Sequence, residues 1–348
     1  MDNYFNELFD KYNVKKILKL NQYQITTVHL AFTEDDVALF NEAYSHCVNS
    51  NLDKIVRTKS GALKQGECYL GNKYSYDIVK KNAGVRLTII IASRAIALTV
   101  GRVMDMDKDI APFKAWQVFV KELQADGIDI NDYVISKERA ILEKMQIESP
   151  PIKMFVHDEI LQNVHHIDYH NSFPAGLCNK HPEFRPTIKR LYEKRKKYPV
   201  YKAILNYSIS GCFQSEKSPW NMKWTHLCKD ARNDNNARIR RLSDFLQING
   251  RKIIGYNTDG IWYQGDIYHG PGEGKDLGQW ENDHVNCTFR AKSDGAYEFI
   301  EDGVYTPVLR GLTTLDMMKP REEWKWGDIY TQELISYKFI DGEGLIKC

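Results

Sequence analysis

Two aspartates that are far apart in the sequence each stand where a predicted strand ends or turns. Asp168 lies in "HIDYHNSFPA", a short strand that gives way to a turn, and Asp259 lies in "IIGYNTDGIWY", where Asn-Thr-Asp-Gly favours a tight hairpin. If those strands are neighbours in one sheet, the two carboxylates lie side by side. Because adjacent carboxylates repel each other, such a pair is typical of a site for two divalent cations that catalyses phosphoryl transfer. The alternative is an ordinary hairpin whose aspartate merely suits the turn.

A basic helical region lies between the two aspartates in the sequence. Lys202 and Asn206 in "YKAILNYSISG" are four residues apart and therefore share one face of a helix. A lysine there can neutralise a triphosphate whose charge grows as pyrophosphate leaves. Residues 180–202 carry nine Lys or Arg residues against two Glu residues, which indicates a polyanionic partner or, alternatively, a solvated basic helix face.

The elements that must position these residues follow from the apolar periodicity. Residues 1–149 show mostly helical spacing, with helices predicted at 3–20, 34–48, 114–124 and 137–147, and Pro150 and Pro151 mark a boundary. Further helices are predicted at 185–197, 201–208 and 224–246, and the hairpin is followed by an antiparallel meander. Together these elements predict an α+β fold with helices on one face of the sheet.

The composition is that of a soluble globular protein. The 348 residues are 43% hydrophobic and 27% charged with a net charge of +2, so disorder is not expected. The longest apolar run, "LTIIIASRAIALTV", is too short to span a bilayer and contains Arg94, which predicts a buried helix or strand. The N-terminal residues of the chain fit an amphipathic helix rather than a signal peptide. Seven scattered cysteines without a CxxC pair predict free thiols in a reducing cytoplasm.

Three segments in this order resemble motifs A, B and C of the family B DNA polymerases, especially their small phage and plasmid members. Motif A reads D-x-x-S-L-Y-P in that family, and this chain has D-Y-H-N-S-F-P, with Asp168 in the acid position and Phe173 in the tyrosine position. "KAILNYSISG" keeps Lys202 and Asn206 of motif B. "YNTDG" resembles motif C through Tyr256, Thr258 and Asp259. The resemblance covers about residues 155–312, nearly half of the chain.

The resemblance implies a template-directed DNA polymerase that adds dNTPs to a primer 3′-hydroxyl. Two Mg²⁺ ions, for which Mn²⁺ can substitute, would be held by Asp168, Asp259 and the backbone carbonyl of Tyr169. Nucleotide binding is assigned to Tyr169, Phe173, Arg185, Arg190, Arg195, Lys202 and Asn206, without a choice among the three arginines. Primer and template binding is assigned to Tyr256, Thr258, Lys292, Tyr297 and Arg310. The implied partners are primer-template DNA, dNTPs and accessory proteins such as a helicase, a single-strand-binding protein or a clamp, in the host cytoplasm if the chain is phage-encoded.

The implied layout is a polymerase palm with an antiparallel sheet, short helical fingers, a small C-terminal thumb-like region and a mostly helical N-terminal domain. The corresponding ranges are 1–150 for the N-terminal domain, with possible template binding, 151–178 and 214–312 for the palm, 179–213 for the fingers and 313–348 for the thumb-like segment. No D-x-E motif in a strand-like context precedes Asp168, and helical texture would hardly hold a proofreading domain. We therefore expect no exonuclease activity.

The chain departs from the family pattern at several positions. Asn257 replaces the first acid of motif C, and Gly260 replaces the serine that ends it. In motif B, Gly211 comes one residue late and Ser210 stands where the family has an aromatic residue. The Lys-x-Tyr of the primer-gripping segment is not intact, because the lysine nearest to Tyr297 is Lys292.

Two other functions fit part of the sequence. His166, Asp168 and His170 alternate along a strand and, with His157 and His165 nearby, predict an iron or zinc site in a metallohydrolase or oxygenase. That hypothesis leaves Lys202 and Asp259 without a role. The motif departures alternatively indicate a catalytically degenerate polymerase-like protein that binds DNA, although both predicted metal-binding acids are retained.

Overall fold

The structure is a computed structural model that describes residues 2–14, 25–30, 34–54, 75–81, 84–91, 94–101, 110, 112–211, 213, 222–309, 323–331 and 337–347. Within these residues the helices are α1 (Asp2–Lys11), α2 (Glu34–Asn49), α3 (Pro112–Ala125), α4 (Lys137–Met145), α5 (Ser172–Lys180), α6 (Arg185–Lys197), α7 (Val200–Asn206), α8 (Thr225–Ile248) and α9 (Asp328–Thr331). The strands are β1 (Ile25–Leu30), β2 (Asp53–Lys54), β3 (Ser75–Lys81), β4 (Gly84–Ile91), β5 (Arg94–Gly101), β6 (Ile152–Met154), β7 (Leu161–Tyr169), β8 (Lys252–Asn257), β9 (Gly260–Gln264), β10 (Trp280–Ser293), β11 (Ala296–Glu301), β12 (Val304–Leu309), β13 (Tyr337–Ile340) and β14 (Gly344–Lys347).

The chain divides into two compact units, Met1–Val103 with Pro307–Cys348, and Met104–Thr306. Helices α3 and α4 thus belong with the residues that follow them, whereas the sequence placed them in an N-terminal domain that ended at residue 150. The reason is packing, because the apolar face of α3 shares one buried cluster with α5, α6, α7 and α8. No helix in the described part of the chain has the length and apolar character needed to cross a membrane.

The first unit contains a five-stranded sheet in the order β1-β5-β4-β3-β2. Strands β3, β4 and β5 form an antiparallel meander, β1 runs parallel to β5, and β2 runs parallel to β3. The helix predicted at 34–48 is present as α2, but residues 25–30, 75–81, 84–91 and 94–101 form strands, so the prediction of mostly helical structure is wrong for these residues. The apolar run "LTIIIASRAIALTV" supplies most of β4 and β5, whose residues are largely buried and so lack the alternation that marks a half-exposed strand.

The C-terminal hairpin β13–β14 packs on α2 in the same unit. Phe339 and Leu345 join the buried cluster of α1, α2 and the sheet. The Asn41 side chain of α2 accepts a hydrogen bond from the Leu345 N–H at 2.7 Å and donates one to the Leu345 carbonyl at 2.9 Å. These residues thus form part of the first unit and not the separate thumb-like segment predicted for residues 313–348.

The second unit is built on a seven-stranded sheet in the order β12-β11-β10-β7-β9-β8-β6. The pairs β6–β8, β8–β9, β9–β7, β7–β10 and β10–β11 are antiparallel, so the predicted antiparallel sheet is confirmed. Helix α8 covers one face, where a buried cluster joins it to β7, β8, β9 and Trp280. The predicted hairpin forms between β8 and β9, with Asn257 paired to Gly260.

Candidate active site

The two predicted catalytic aspartates lie on adjacent strands. Asp168 is near the end of β7 and is paired with Gly260 of β9, the residue that follows Asp259. The backbone N–H of Tyr169 also donates to the Asp259 carbonyl at 3.1 Å. The sheet order therefore brings together two acids that are ninety-one positions apart in the numbering, as the sequence predicted.

The electrostatics of Asp168 show that the site concentrates negative charge. Burial, followed by the charges of Asp259 and Asp283, raises the pKa of the Asp168 carboxyl to about 8, whereas the charge of Lys202 acts to lower it. Asp259 and Lys202 therefore both lie within electrostatic reach of Asp168. A divalent cation would relieve the repulsion between the two carboxylates.

The donor set fits Mg²⁺ better than a metal held by protein ligands alone. In the part of the chain that the structure describes, no three His, Cys, Asp or Glu side chains are grouped to hold a metal ion. Mg²⁺ keeps several waters and is often bound by one or two carboxylates together with substrate phosphates. Asp168 and Asp259 fit that pattern, and the positive charge of Lys202 acts on the same carboxylate site.

The turn that carries Asp259 is held in a strained conformation. Thr258 has φ +65°, in the left-handed region that a β-branched residue rarely adopts. Its N–H donates to the Pro151 carbonyl at 2.8 Å, and its carbonyl accepts a hydrogen bond from the Asn235 side chain at 3.0 Å. These two bonds fix the turn from outside the hairpin.

Asn235 of α8 links both aspartate-bearing segments, and the sequence analysis missed it. Its side chain is fully buried, donates to Thr258 after β8 and accepts a hydrogen bond from the Ser172 hydroxyl at the start of α5. Asp234 and Asn236 beside it are also buried. A run of such polar residues inside a long helix, "RNDNN", is the signal that could have identified it, because buried amides require partners.

His166 explains why a glycine follows Asp259. His166 lies two residues before Asp168 and so points to the same face of β7. Its Nδ1 is 2.7 Å from a carboxylate oxygen of Asp283, and its buried Nε2 has no hydrogen-bond partner among the described residues. A Cβ on Gly260 would lie 2.4 Å from that Nε2, so His166 occupies the space that a side chain at position 260 would need. Although burial alone would raise the pKa of Asp283, the hydrogen bond and charge of His166 lower it.

The histidines of the metalloenzyme hypothesis have other partners. His165 bonds the Gly265 carbonyl at 2.9 Å, His166 bonds Asp283, and the Nε2 of His170 lies 3.1 Å from a Glu281 oxygen. They do not converge with Asp168 into a metal-binding group among the described residues. The structure therefore does not support this hypothesis.

The three candidate arginines have different surroundings. Arg190 is held on the α3 side by Glu122 at 3.0 Å and Asp126 at 2.7 Å. Arg185 donates to Asn179 at 3.2 Å. Arg195 donates to the Asn171 side chain in the turn after β7, and its charge adds to the effect of burial in lowering the pKa of His170. Arg195 is thus the arginine that lies beside the segment of Asp168.

Helix α7 carries the remaining nucleotide-binding candidates. Lys202 and Asn206 are exposed on α7, and a π-helical turn follows at Tyr207–Gly211. A π turn accommodates one extra residue in a helix, which accounts for the glycine that comes one residue late in motif B. Phe173 is half-buried against the apolar cluster that α7 shares with α3 and α6.

The primer-binding candidates lie in two different environments. The Asn257 side chain donates to the Tyr297 hydroxyl at 3.0 Å, which connects the hairpin of Asp259 to β11, and Lys292 lies on the neighbouring β10. The Tyr256 hydroxyl instead bonds the Ser243 hydroxyl at 2.7 Å, so its ring lies on the face covered by α8, opposite the face of Asp168. Arg310 lies outside the described residues.

Comparison with known proteins identifies structural relatives only. No protein-family model and no curated protein matches the sequence. The match to an orthorhombic crystal form of phi29 DNA polymerase covers 100% of this chain and 92% of the phi29 chain, with a TM-score of 0.54 and 9% sequence identity. A second match is phi29 DNA polymerase in complex with primer-template DNA and incoming nucleotide substrates. This match covers 94% of this chain and 91% of the phi29 chain, with a TM-score of 0.52 and 9% sequence identity.

A third match is the family B DNA polymerase of the hyperthermophilic archaeon Pyrobaculum calidifontis. It has a TM-score of 0.32 and 12% identity, and it covers 47% of this chain and 29% of its own, values that are too low to carry an argument. The phi29 matches confirm at the level of the fold the resemblance to DNA polymerases that the motifs predicted. This chain therefore has the fold of phi29 DNA polymerase.

Proposed function

We propose that this chain is a template-directed DNA polymerase that adds dNTPs to a primer 3′-hydroxyl by nucleotidyl transfer. The observation that carries the proposal is the pairing of β7 with β9, which sets Asp168 beside Asp259 in a chain with the fold of phi29 DNA polymerase. The pair destabilises the fold unless a cation or a proton compensates it, because charge repulsion and burial both raise the pKa of Asp168. A catalytic role accounts for that cost.

Asp168 and Asp259, with the backbone carbonyl of Tyr169, would hold two Mg²⁺ ions or Mn²⁺ in their place. The ions supply Lewis-acid activation of the primer hydroxyl and neutralisation of the triphosphate when they are bound. The Asp168 carboxyl must lose its proton before it can bind a cation at neutral pH, since its pKa is raised to about 8.

The chain's own cations position the substrate. Lys202 binds the phosphates of the incoming nucleotide, because it is exposed and lies within electrostatic reach of Asp168. Arg195 of α6 assists it, because its guanidinium group contacts Asn171 in the turn after β7. Phe173 lies beneath the sugar and leaves no room for a 2′-hydroxyl, so deoxynucleotides are preferred. Asn206 completes the nucleotide site on the same helix face as Lys202.

The remaining candidate residues contact primer and template. Thr258 contacts the primer terminus, and Tyr297, Lys292 and Arg310 contact the DNA backbone. The phi29 DNA polymerase complex with primer-template DNA and nucleotide substrates supports this class of partner. We expect no proofreading activity and a need for accessory replication proteins. The first 150 residues contain a five-stranded sheet as well as helices, so the expected lack of proofreading depends on the missing D-x-E motif alone.

A primer-extension assay tests the proposal with a labelled primer-template, dNTPs and Mg²⁺. The unaltered protein is expected to extend the primer, and Asp259→Ala is expected to abolish extension. Asp244→Asn removes a carboxylate from the exposed side of α8 and should extend the primer normally. Extension by the Asp259→Ala variant would contradict the proposal. A lack of extension by the unaltered protein, together with retained DNA binding, would instead favour a catalytically degenerate DNA-binding protein.

A further inference from the structure

A cavity of about 200 Å³ lies behind β7, on the face of the seven-stranded sheet that α8 covers. Tyr169 lines the cavity. Successive side chains of a strand point to opposite faces, so Asp168 points away from the cavity. Helix α8 contributes Arg238, Arg241 and Phe245 to the opposite wall. The cavity is therefore separate from the carboxylate pair.

The sheet side of the cavity is aromatic. Tyr268 and Trp280 are stacked with ring centroids 5.5 Å apart and planes 20° apart. Tyr169 and Tyr268 are each only 8% exposed, so their rings form part of the cavity wall and present flat aromatic surface to it.

The helix side of the cavity is cationic. The Arg238 guanidinium lies 4.8 Å from the Tyr169 ring centroid and is fixed by hydrogen bonds to Asp234 and Ser172. Arg241, three residues further along α8, is exposed and forms no ion pair with any described residue. The fixed arginine provides a stacking surface, and Arg241 remains available to an anion.

The size of the cavity limits what it can hold. A dry cavity of about 150 Å³ accommodates benzene, and complete drug-sized ligands need about 300 Å³ or more. At about 200 Å³ the cavity accommodates a planar ring system, while any larger substituent must remain outside, near Arg241 and the half-exposed Phe245. We propose that this cavity binds a nucleoside monophosphate, with its base between the aromatic wall and α8 and its phosphate on Arg241.

Calorimetric titration of the full-length protein with dAMP tests this proposal, in EDTA and without DNA so that no metal-dependent binding contributes. We expect saturable binding by the unaltered protein. Deoxyadenosine lacks the phosphate group that pairs with Arg241, so its affinity should be lower than that of dAMP by a factor of about ten or more. Inorganic phosphate alone should not bind, because it cannot stack on the rings. Arg241→Ala should weaken dAMP binding by a similar factor of about ten.

Two further variants keep the test independent of folding and of the proposed polymerase site. Leu242→Phe fills the cavity from α8 without a change of charge and should abolish binding, with its fold checked by circular dichroism. Lys202→Ala should bind dAMP as the unaltered protein does. Failure of the unaltered protein to bind, unchanged binding by both α8 variants, or loss of binding in Lys202→Ala would overturn the proposal. Primer extension is measured separately, so failure of the polymerase proposal leaves this test unaffected.

Discussion

Replacing Asp168 with Asn should stabilise the metal-free protein while it removes a residue that the proposed activity requires. Burial and the charge of Asp259 raise the pKa of the Asp168 carboxyl from 3.8 to about 8. The folded state therefore binds more protons than the unfolded state between these pKa values, and stability falls as pH rises through that interval. Asparagine remains neutral throughout, so the advantage of the variant is absent at the acidic end, grows with pH and becomes constant above about pH 8.

The magnitude follows from the same pKa. The interval from 3.8 to about 8, at about 1.4 kcal/mol for each pH unit, sets an upper limit of about 6 kcal/mol on the gain in the free energy of unfolding. Asp168 is only partly buried, and water and local rearrangement reduce the repulsion that the rigid structure implies. We therefore expect a gain of about 1 to 3 kcal/mol at alkaline pH.

Urea unfolding followed by tryptophan fluorescence in EDTA measures this gain at about pH 5 and about pH 9. Asp244→Asn is the matched control, because it removes the same charge from an exposed position on α8 and should show no comparable gain. Mg²⁺ should stabilise the unaltered protein and have less effect on Asp168→Asn. An equal gain at both pH values, or a loss of stability at the alkaline pH, would refute the inference that Asp168 and Asp259 repel each other.

Three further predictions concern the surroundings of the aspartates. Gly260→Ser should cost about 1–3 kcal/mol of stability, because a Cβ there lies 2.4 Å from His166 Nε2 and 2.9 Å from the Ile167 carbonyl oxygen. His166→Ala in the same chain should recover only part of the loss in melting temperature, because the contact with the Ile167 carbonyl remains. Asn235→Ala should lower the rate of primer extension about 10- to 100-fold with little change in the KM for dNTP, since it releases both aspartate-bearing segments. Arg195→Ala should raise the KM for dNTP, whereas Arg190→Ala should lower the melting temperature because it breaks ion pairs with α3. Equal effects of the two arginine variants on KM would contradict the assignment.

The sequence predicted the elements whose signal is local. Helix α6 begins and ends at the predicted residues, and α2, α3, α4 and α8 differ from their predictions by a few residues at most. Each carries apolar residues at helical spacing, so its periodicity does not depend on distant parts of the chain. The β8–β9 hairpin was predicted for the same reason, because Asn257 to Gly260 is a strong turn signal.

The sheet of the first unit was missed because its strands lack that local signal. In β4, Leu87, Ile89 and Ile90 are all fully buried, so the strand presents a continuous apolar run that periodicity cannot distinguish from a buried helix.

Ion pairs between distant parts of the chain decide which charged side chains are available to a ligand. The sequence could not choose among three arginines, since the choice depends on Glu122 of α3 and on Asp126 just after it, both more than sixty positions before Arg190.

The departures from the polymerase motifs have structural counterparts in this chain. His166 fills the space beside Gly260 that the family gives to serine, and the π turn at Tyr207–Gly211 accommodates the extra residue in motif B. Selection for a stable fold alone would maintain both the His166–Gly260 contact and the π turn. These two features therefore do not distinguish an active enzyme from a catalytically degenerate remnant. The acid pair bears on that distinction, because burial and the charge of Asp259 raise the pKa of Asp168 and make the ionised pair costly at neutral pH. A remnant under selection for stability alone would be expected to lose one of the two charges, and their joint retention favours an active enzyme.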